Sequence, residues 1–303
     1  MLVVAPSYEI QDALDHLPLP VALETRGRVC YKSEEKISGD SAIPFVEGIV
    51  RRGHGSVLEM AVVTAEIACS PTDAAAFFAL QPRFFVIDKR EGGLLVTASI
   101  RALRELATSA AADAVVATFA CAVSAKYPFL FADINLATPS LAPPRLYSVS
   151  EIDAWPQALL ARHRFLGVKF VVSRAVSHEL VRHRVCSFLQ ESQRYCNYGR
   201  AQFDRRVSFI RPVFYQENSE EFAIWQQSME EAESAYLRLL RNSTPQAART
   251  VLPNSCKTEI VVYCNLAEWR HMFRLRTASA AEPSMREVML PLQAELRRRY
   301  SFL

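Results

Sequence analysis

A segment dense in arginine, hydroxyl and amide side chains holds the residues of this chain best suited to chemistry. It begins with Arg182, His183 and Arg184. The donors that follow are Ser187, Gln190, Ser192, Arg194 and Tyr195. Guanidinium forks bind phosphate or carboxylate through paired hydrogen bonds, and hydroxyl and amide groups add neutral donors. Successive helical residues point about 100° apart, so the triplet cannot face one small ligand from a regular helix. Either the helix ends here or the triplet serves more than one ligand or subunit.

Arginine dominates the basic residues around this segment. Only six of the 35 basic residues are lysine, and residues 174–211 hold eight arginines against three acids. The net charge of the whole chain is only +3, so anion-binding capacity is concentrated in one region. A solvated basic face is the alternative interpretation for any single arginine. The chain has 9 glycines and neither GxGxxG nor GxxxxGK[ST], so side chains must hold any phosphate.

Residues 182–195, RHRVCSFLQESQRY, resemble the RHR-x(7)-S signature of the flavin-dependent thymidylate synthases. Further segments are similar to successive blocks of that family, in the same order: HGSVLE at 54–59, FVVSRAVSHELVRHR at 170–184, ESQRYCNY at 191–198, TPQAARTVLPNSCKTEIVVYCN at 244–265, EWRHMFRLR at 268–276 and PSMREVMLPL at 283–292. The resemblance implies an FAD enzyme that methylates C5 of a uracil nucleotide. Its carbon donor would be 5,10-methylenetetrahydrofolate and its reductant NADPH.

The resemblance also implies roles for individual residues. The positions that match cofactor contacts are Ser56, Glu59, Arg182, His183, Arg184, Gln190, Asn265 and His271. The positions that match nucleotide contacts are Glu179, Arg182, Gln190, Glu191, Ser192, Gln193, Arg194, Arg249 and Arg276. The implied catalytic residues are Arg276 and His54. A fixed guanidinium aimed at the pyrimidine would stabilise the negative charge that makes uracil C5 nucleophilic, and Arg276 is our candidate for that role.

Four positions depart from the family pattern, and one of them is Cys30, which replaces a common serine. Glu179 stands where many relatives have glutamine, and a carboxylate would repel phosphate, so we expect it to face a sugar hydroxyl or an arginine. Ala267 stands where shorter members often have arginine, and Glu282 departs from a frequent motif near the flavin. An atypical member fits a branch of the family that acts in nucleoside-antibiotic biosynthesis and methylates UMP as well as dUMP. We therefore expect dUMP as substrate and UMP as a second one.

Two other functions stay open at this point. A sibling reaction would give a hydroxymethylated uracil nucleotide. An arginine-rich nucleic-acid-binding protein is the alternative from another class, although a pI near 8.5 and clustered charge disfavour it. The family implies a homotetramer with sites at subunit interfaces, whose partners are the nucleotide and folate and not nucleic acid or membrane.

Composition favours a globular protein of the cytoplasm. Half of the 303 residues are hydrophobic, and no run of about 18 uncharged apolar residues is present. The amino terminus has no basic segment ahead of its short apolar run, which disfavours secretion. The seven cysteines lack ligand spacing, so no metal site is expected.

The elements that would position these residues follow from hydrophobic periodicity. Helices are predicted at 41–53, 100–125, 173–188, 219–241, 266–276 and 284–300, and Ser173 is expected to cap the third of them. Strands are predicted at 62–69, 168–172 and 259–264, with a hairpin in RFFVIDKREGGLLVTASI and an irregular proline-rich connection at 131–156. The irregular order predicts an α+β fold with an antiparallel sheet, typical of the flavin-dependent thymidylate synthases. We expect residues 1–303 to form a single catalytic domain with an insertion at about 70–165.

Overall fold

Ten strands and thirteen α-helices make up the computed structural model, which describes residues 1–303. The strands are β1 (Leu2–Val4), β2 (Ser7–Ile10), β3 (Val62–Ala68), β4 (Phe85–Arg90), β5 (Gly93–Ser99), β6 (Arg145–Tyr147), β7 (Phe165–Ser173), β8 (Ser187–Gln190), β9 (Ser208–Ile210) and β10 (Lys257–Asn265). The helices are α1 (Asp12–Asp15), α2 (Leu19–Arg28), α3 (Ala42–Arg51), α4 (Pro71–Ala79), α5 (Ile100–Ser109), α6 (Ala114–Lys126), α7 (Val149–Asp153), α8 (Gln157–His163), α9 (Arg174–Leu180), α10 (Glu220–Leu239), α11 (Pro245–Ala248), α12 (Leu266–Arg276) and α13 (Pro283–Arg299).

The strands form two four-stranded antiparallel sheets, in the orders β2-β7-β10-β8 and β4-β5-β3-β6. The predicted α+β class with antiparallel sheets is therefore confirmed. A further pair, β1 and β9, is parallel. No helix of the structure is both long enough and apolar enough to cross a membrane.

Strand β10 is the centre of the first sheet and lies between two hydrophobic cores. It pairs with β7 along its whole length, from Lys257 opposite Ser173 to Asn265 opposite Phe165. Its side chains alternate, so Val262 packs into a core of 22 buried residues and Val261 into a core of 27. This double burial fixes the register, because a slip of one residue would exchange the two faces.

The 22-residue core joins the sheet to α12 and α13, through side chains such as Trp269 and Phe273. The 27-residue core joins the opposite face to α2, α3, α5, α6 and the second sheet. A third cluster, of nine buried residues, holds α10 against the segment 196–209 and includes Trp225 and Tyr236. Each large side chain buried in this way contributes about 1.5–3 kcal/mol. The ends of β7, β8 and β10, from which the motif segments start, are thus held rigidly.

Residues 70–165 contribute most of the second sheet and several helices. The predicted hairpin is confirmed as β4 and β5, and β5 pairs with β3 from Val62 opposite Ser99 onward. The segment predicted as irregular contains β6, which pairs with the other edge of β3, and the short helix α7. Its irregular part therefore ends before Arg145.

Two helix predictions were wrong in extent. The helix expected at 100–125 is two helices, because the side chain of Asp113 accepts from Val115 N and Val116 N and starts α6 afresh. The helix expected at 173–188 ends at Leu180. Residues 181–186 form a turn, and β8 starts at Ser187. The other predicted helices correspond to α3, α10, α12 and α13.

Candidate functional site

The turn after α9 resolves the geometry of the RHR triplet. Ser173 caps α9 by accepting from Val176 N at 3.2 Å, and the helix ends three residues before His183. In the turn, His183 N donates to Leu180 O at 3.1 Å. The ring of His183 is buried, whereas Arg182 and Arg184 are exposed. The three side chains therefore point in different directions because the helix has ended.

Arg276, at the end of α12, lies against this turn. Its Nε donates to His183 Nε2 at 3.0 Å. Its two terminal nitrogens donate to Glu179, one to the carboxylate at 2.7 Å and one to the backbone oxygen at 2.8 Å. Arg182 forms a second ion pair with Glu179 at 3.1 Å. Glu179 thus faces two arginines, one of the alternatives expected for it, and Arg276 retains two N–H groups for a ligand.

Two histidines of the predicted cofactor site are neighbours, with ring centroids of His183 and His271 6.1 Å apart. Together with Glu268 they form a group whose ligand atoms lie within 4.8 Å of one another, the spacing of a metal site. However, His183 Nε2 accepts from Arg276 and His271 Nδ1 accepts from Arg274 at 3.0 Å. The remaining nitrogen of each neutral ring then carries a hydrogen, so neither ring offers a second lone pair to a metal.

Two arginines among the predicted nucleotide contacts, Arg194 and Arg249, both border helix α11. Arg194 is exposed, and its Nε donates to Gln246 Oε1 on α11 at 3.3 Å. Arg249 directly follows α11 and has no ion pair or side-chain hydrogen bond. Ser192 Oγ accepts from Arg194 N at 3.3 Å. No carboxylate neutralises the guanidinium groups of Arg194 and Arg249, so both remain available to bind an anion.

Glu191 is buried and already fully engaged within the chain. Lys257 Nζ lies 2.8 Å from Glu191 Oε2, and Tyr198 OH donates to Oε1 at 2.8 Å. The backbone N of Glu259 donates to Oε2 at 3.2 Å. The prediction that Glu191 binds the nucleotide stays a prediction, but its carboxylate positions neighbouring groups and is not free in this chain.

An ion-pair network that sequence reasoning missed continues from Glu191. Lys257 also binds Glu259 at 2.8 Å, and Lys32 binds the same carboxylate at 2.9 Å. Burial acts to raise the pKa of Glu259, but the two lysines outweigh it and hold this pKa at about 2. Burial likewise acts to lower the pKa of Lys257, and Glu191 and Glu259 raise it instead. The sequence carries no signal for this network, because Lys32 lies far from Lys257 and Glu259 along the chain and only the fold brings them together.

His54 lies beside the end of the signature segment. Its Nδ1 is 2.8 Å from Tyr31 OH, and the ring of Tyr31 lies 5.7 Å from that of Tyr195. Ser56 is exposed at the start of the short helix 57–60, where its side chain makes no capping bond. Glu59 forms an ion pair with Arg101 at 2.6 Å. Of these residues, the structure connects only His54 to the signature.

Several predicted amides have partners inside the chain. Asn265 Oδ1 accepts from Glu268 N at 2.9 Å and caps α12, while Nδ2 donates to Arg162 O at 3.0 Å. Gln190 Nε2 donates to Ser177 Oγ at 2.8 Å and Thr258 Oγ1 at 3.2 Å. These bonds give both residues a structural role, whatever they contact in addition.

The structure therefore brings the predicted site residues into separate groups within one chain. The group at Arg276 contains Glu179, Arg182, His183 and His271. Arg194 bonds to Ser192 and to Gln246 of α11, and Arg249 directly follows that helix. Gln193 donates to Cys256 Sγ at 3.4 Å, and Arg184 makes no side-chain bond. None of the predicted residues lines either of two cavities of about 570 and 370 Å³.

Residues 161–300 match the family model described as thymidylate synthase complementing protein, Thy1. The matched stretch covers slightly less than half of the chain. The resemblance drawn from the sequence is thus confirmed for this part of the chain, which we call the Thy1 segment. It contains every predicted site residue except His54, Ser56 and Glu59.

Curated relatives also match part of the chain. The flavin-dependent thymidylate synthase of Pyrococcus furiosus is 34% identical over 128 residues, which are 42% of this chain and 52% of that protein. The flavin-dependent thymidylate synthase of Geobacter sulfurreducens is 34% identical over 122 residues, 40% of this chain and 51% of that protein. The chain thus spans about half the length of these relatives.

A solved structure resembles the whole chain more distantly. It is a UMP/dUMP methylase, PolB, from Streptomyces cacaoi bound with 5-Br dUMP. It is 15% identical, with a TM-score of 0.43, and the alignment covers 100% of this chain and 94% of that one. A score below 0.5 is too low to establish a shared fold.

Proposed function

We propose that this protein is a flavin-dependent enzyme that methylates C5 of a uracil nucleotide, with dUMP as substrate and UMP as a second substrate. The observation that carries the proposal is the Thy1 segment, whose arginines keep N–H groups free for anions. The carbon donor we propose is 5,10-methylenetetrahydrofolate, and the reductant is NADPH. The names of the curated relatives support the flavin and the thymidylate chemistry.

The donor set fits the anionic parts of FAD and of a nucleotide. Arg184 and Arg249 have no carboxylate partner, and the guanidinium of Arg194 donates to a neutral amide, that of Gln246. We assign FAD to Arg182, His183 and Arg184, with Ser56, Glu59, Gln190, Asn265 and His271 as further contacts. When bound, the flavin supplies hydride-transfer chemistry, which no side chain of the protein provides.

The nucleotide would be held by its phosphate and by its ring. Arg194, Arg249 and Ser192 offer two forks and a hydroxyl to the phosphate, as charge-assisted hydrogen bonds require. Arg276 would direct its two unused N–H groups at the pyrimidine. Because Glu179 and His183 hold the guanidinium from three sides, it can stabilise developing negative charge without reorganising.

We propose that the complete site forms between subunits of a homotetramer located in the cytoplasm. Within one chain, neither Arg276 and its partners nor Arg194 and its partners line either cavity. Neighbouring chains would therefore supply the remaining walls of the site. Within each subunit, residues 1–303 would act as a single catalytic domain in which 70–165 is an insertion. Strand β10 supports this, because its two faces pack into cores drawn from both halves of the chain.

The test is the visible spectrum of the purified protein followed by turnover. We expect flavin absorbance that bleaches with NADPH and recovers when dUMP and methylenetetrahydrofolate are added. Mass spectrometry of the product should show a methylated nucleotide from dUMP and from UMP. A product one oxygen heavier would indicate the hydroxymethylase instead. A colourless protein whose affinity for duplex DNA falls steeply with salt would overturn the proposal.

A further inference from the structure

A cavity of about 570 Å³ lies away from every residue assigned above. It is enclosed by α2, β3, β6, the end of α6 and the start of β7, and 14 of its 24 lining residues are hydrophobic. Pockets for small organic molecules have this size and composition. Leu17, Lys126 and Ser150 line it and are exposed, so the cavity has a mouth open to solvent.

A buried chain of hydrogen bonds ends at the wall of this cavity. His163 Nε2 lies 2.6 Å from Asp88 Oδ2, and His163 Nδ1 lies 2.8 Å from Thr97 Oγ1. Thr97 Oγ1 lies 2.7 Å from Thr64 Oγ1, directly across the pair of strands β3 and β5. Thr64 and His163 both line the cavity.

The donors along this chain follow from its two ends. A carboxylate only accepts, so His163 Nε2 carries a hydrogen toward Asp88. Burial lowers the pKa of His163, although Asp88 acts in the opposite direction, so the ring is neutral and Nδ1 accepts from Thr97. The oxygen of Thr97 must then accept from Thr64. The oxygen of Thr64 is left as an acceptor, ready for a donor inside the cavity.

The charges of the lining favour an anion. Asp15 is the only carboxylate among the lining residues, against Arg26, Arg164 and Lys126. Arg26 and Arg164 share Asp15 at 2.6 and 2.9 Å, and Arg164 also binds Asp153 at 2.7 Å. Lys126 has no carboxylate partner and lies at the mouth. The walls add four aromatic rings, those of Tyr127, Tyr147, Phe165 and Tyr263.

We propose that this cavity binds a small aromatic carboxylate that carries an N–H or O–H donor. The donor would bind Thr64 Oγ1, the ring would lie among the aromatic side chains, and the carboxylate would face Lys126 at the mouth. Asp88, His163 and Thr97 are positioning residues, because they hold the hydroxyl of Thr64 in one orientation. The site would give the region 70–165 a ligand of its own.

The test uses two probes of similar shape on the full-length protein, measured by titration calorimetry. Indole-3-acetate has the ring N–H, and naphthalene-1-acetate lacks it. We expect one site per chain that binds the indole about fivefold to tenfold more tightly than the naphthalene. Thr64→Val should remove this preference by weakening only the indole, whereas Thr64→Ser should keep it. The matched control Thr108→Val changes an exposed hydroxyl of α5 and should change neither affinity.

Lys126→Gln should weaken both probes at low salt, and the difference from the natural protein should shrink as salt screens the charge. The control Lys36→Gln, at an exposed lysine outside the cavity, should have no effect. If Thr64→Val does not fold, the preference between probes and the Lys126 variant still decide. No binding of either probe at millimolar concentration, or equal affinities in the natural protein, would overturn the proposal.

Discussion

The guanidinium of Arg276 is unusual in being held on three nitrogens while keeping N–H groups free. Two of its partners belong to Glu179 and the third is His183, so residues from α9 and the following turn determine its orientation. A lysine at this place would keep the charge but lose the planar fork. The contribution of Arg276 is therefore expected to depend on geometry more than on charge.

Arg276→Lys should lower kcat by about 10²–10³-fold with a smaller change in KM, because a fixed donor to developing charge is lost. Turnover of dUMP by the variant measures this, with circular dichroism to check folding. Arg270→Lys is the matched control, since Arg270 is exposed on the same helix and makes no side-chain bond. An Arg276→Lys enzyme with near-normal kcat would show that the guanidinium does not touch the pyrimidine.

Glu259 connects acid stability to the buried ion pairs. Its pKa is held at about 2, below the usual 4.5, so its contribution is complete above pH 4.5 and is lost as the pH falls toward 2. Glu259→Gln should unfold more easily at neutral pH, by about 3 kcal/mol, and its unfolding free energy should fall less steeply across that window.

Urea unfolding measured at several pH values checks this expectation. Glu35→Gln, at an exposed carboxylate without an ion pair, should leave the curve of the natural protein unchanged. Parallel curves for the natural protein and Glu259→Gln would mean that the network does not set acid stability.

At the scale of single residues, the sequence predicted which side chains are functional better than it predicted the residues they bond to. The arginines of the signature were found because their number exceeds that of nearby acids. The burial of Lys257 was not found, because a lysine in a strand is ordinarily exposed and only the fold shows Glu191 and Glu259 beside it.

Helix α12 positions Glu268, His271 and Arg276, and it begins at a capping bond from Asn265. Asn265 was predicted to contact the flavin, and the cap offers a second reason for an asparagine at this position. Asn265→Ala should lower the unfolding free energy by about 1 kcal/mol, and Asn265→Asp should restore only the part due to the cap, because aspartate accepts from Glu268 N but cannot donate to Arg162 O. Urea unfolding and flavin absorbance should be measured together.

The capping role and the flavin-binding role of Asn265 predict different results for Asn265→Ala. Asn242→Ala, at an exposed position without a side-chain bond, should alter neither quantity. If Asn265→Ala keeps its stability but loses flavin, the residue acts through the cofactor and the cap is incidental.

At the scale of elements, periodicity found the long helices and the hairpin but failed where one side chain ends a helix. Asp113 interrupts an apolar run that would otherwise read as a single helix, and its capping bonds are visible only in three dimensions. Strand β6 follows two prolines and has only three residues, so its pairing with β3 depends on tertiary contacts. Propensity alone cannot predict such an element.

At the scale of the whole molecule, the surface beside the predicted site carries exposed apolar side chains. Val185 directly follows the RHR triplet, Tyr195 ends the signature and Leu275 precedes Arg276, and all three are exposed. Exposed apolar groups next to functional residues are typical of an interface. Their placement agrees with a site that is completed between subunits.

Val185→Glu should therefore shift the protein to a smaller oligomer and lower its activity together, because a charge would be buried at the interface. Light scattering after size exclusion, with dUMP turnover on the same fractions, measures both. Ile224→Glu is the control, since Ile224 is equally apolar and exposed but lies on α10. A Val185→Glu protein of unchanged mass and activity would place the contact elsewhere.

Because β10 carries a core on each face, the Thy1 segment cannot simply be excised. A shortened polypeptide starting near residue 161 would lose β2 from the edge of β7 and would turn Leu189, Val261 and Tyr263 toward water. Such a fragment would expose both an unpaired strand edge and an apolar surface, and this combination promotes aggregation. Residues 1–160 thus keep this face covered, and a study of the signature region needs them together with the Thy1 segment.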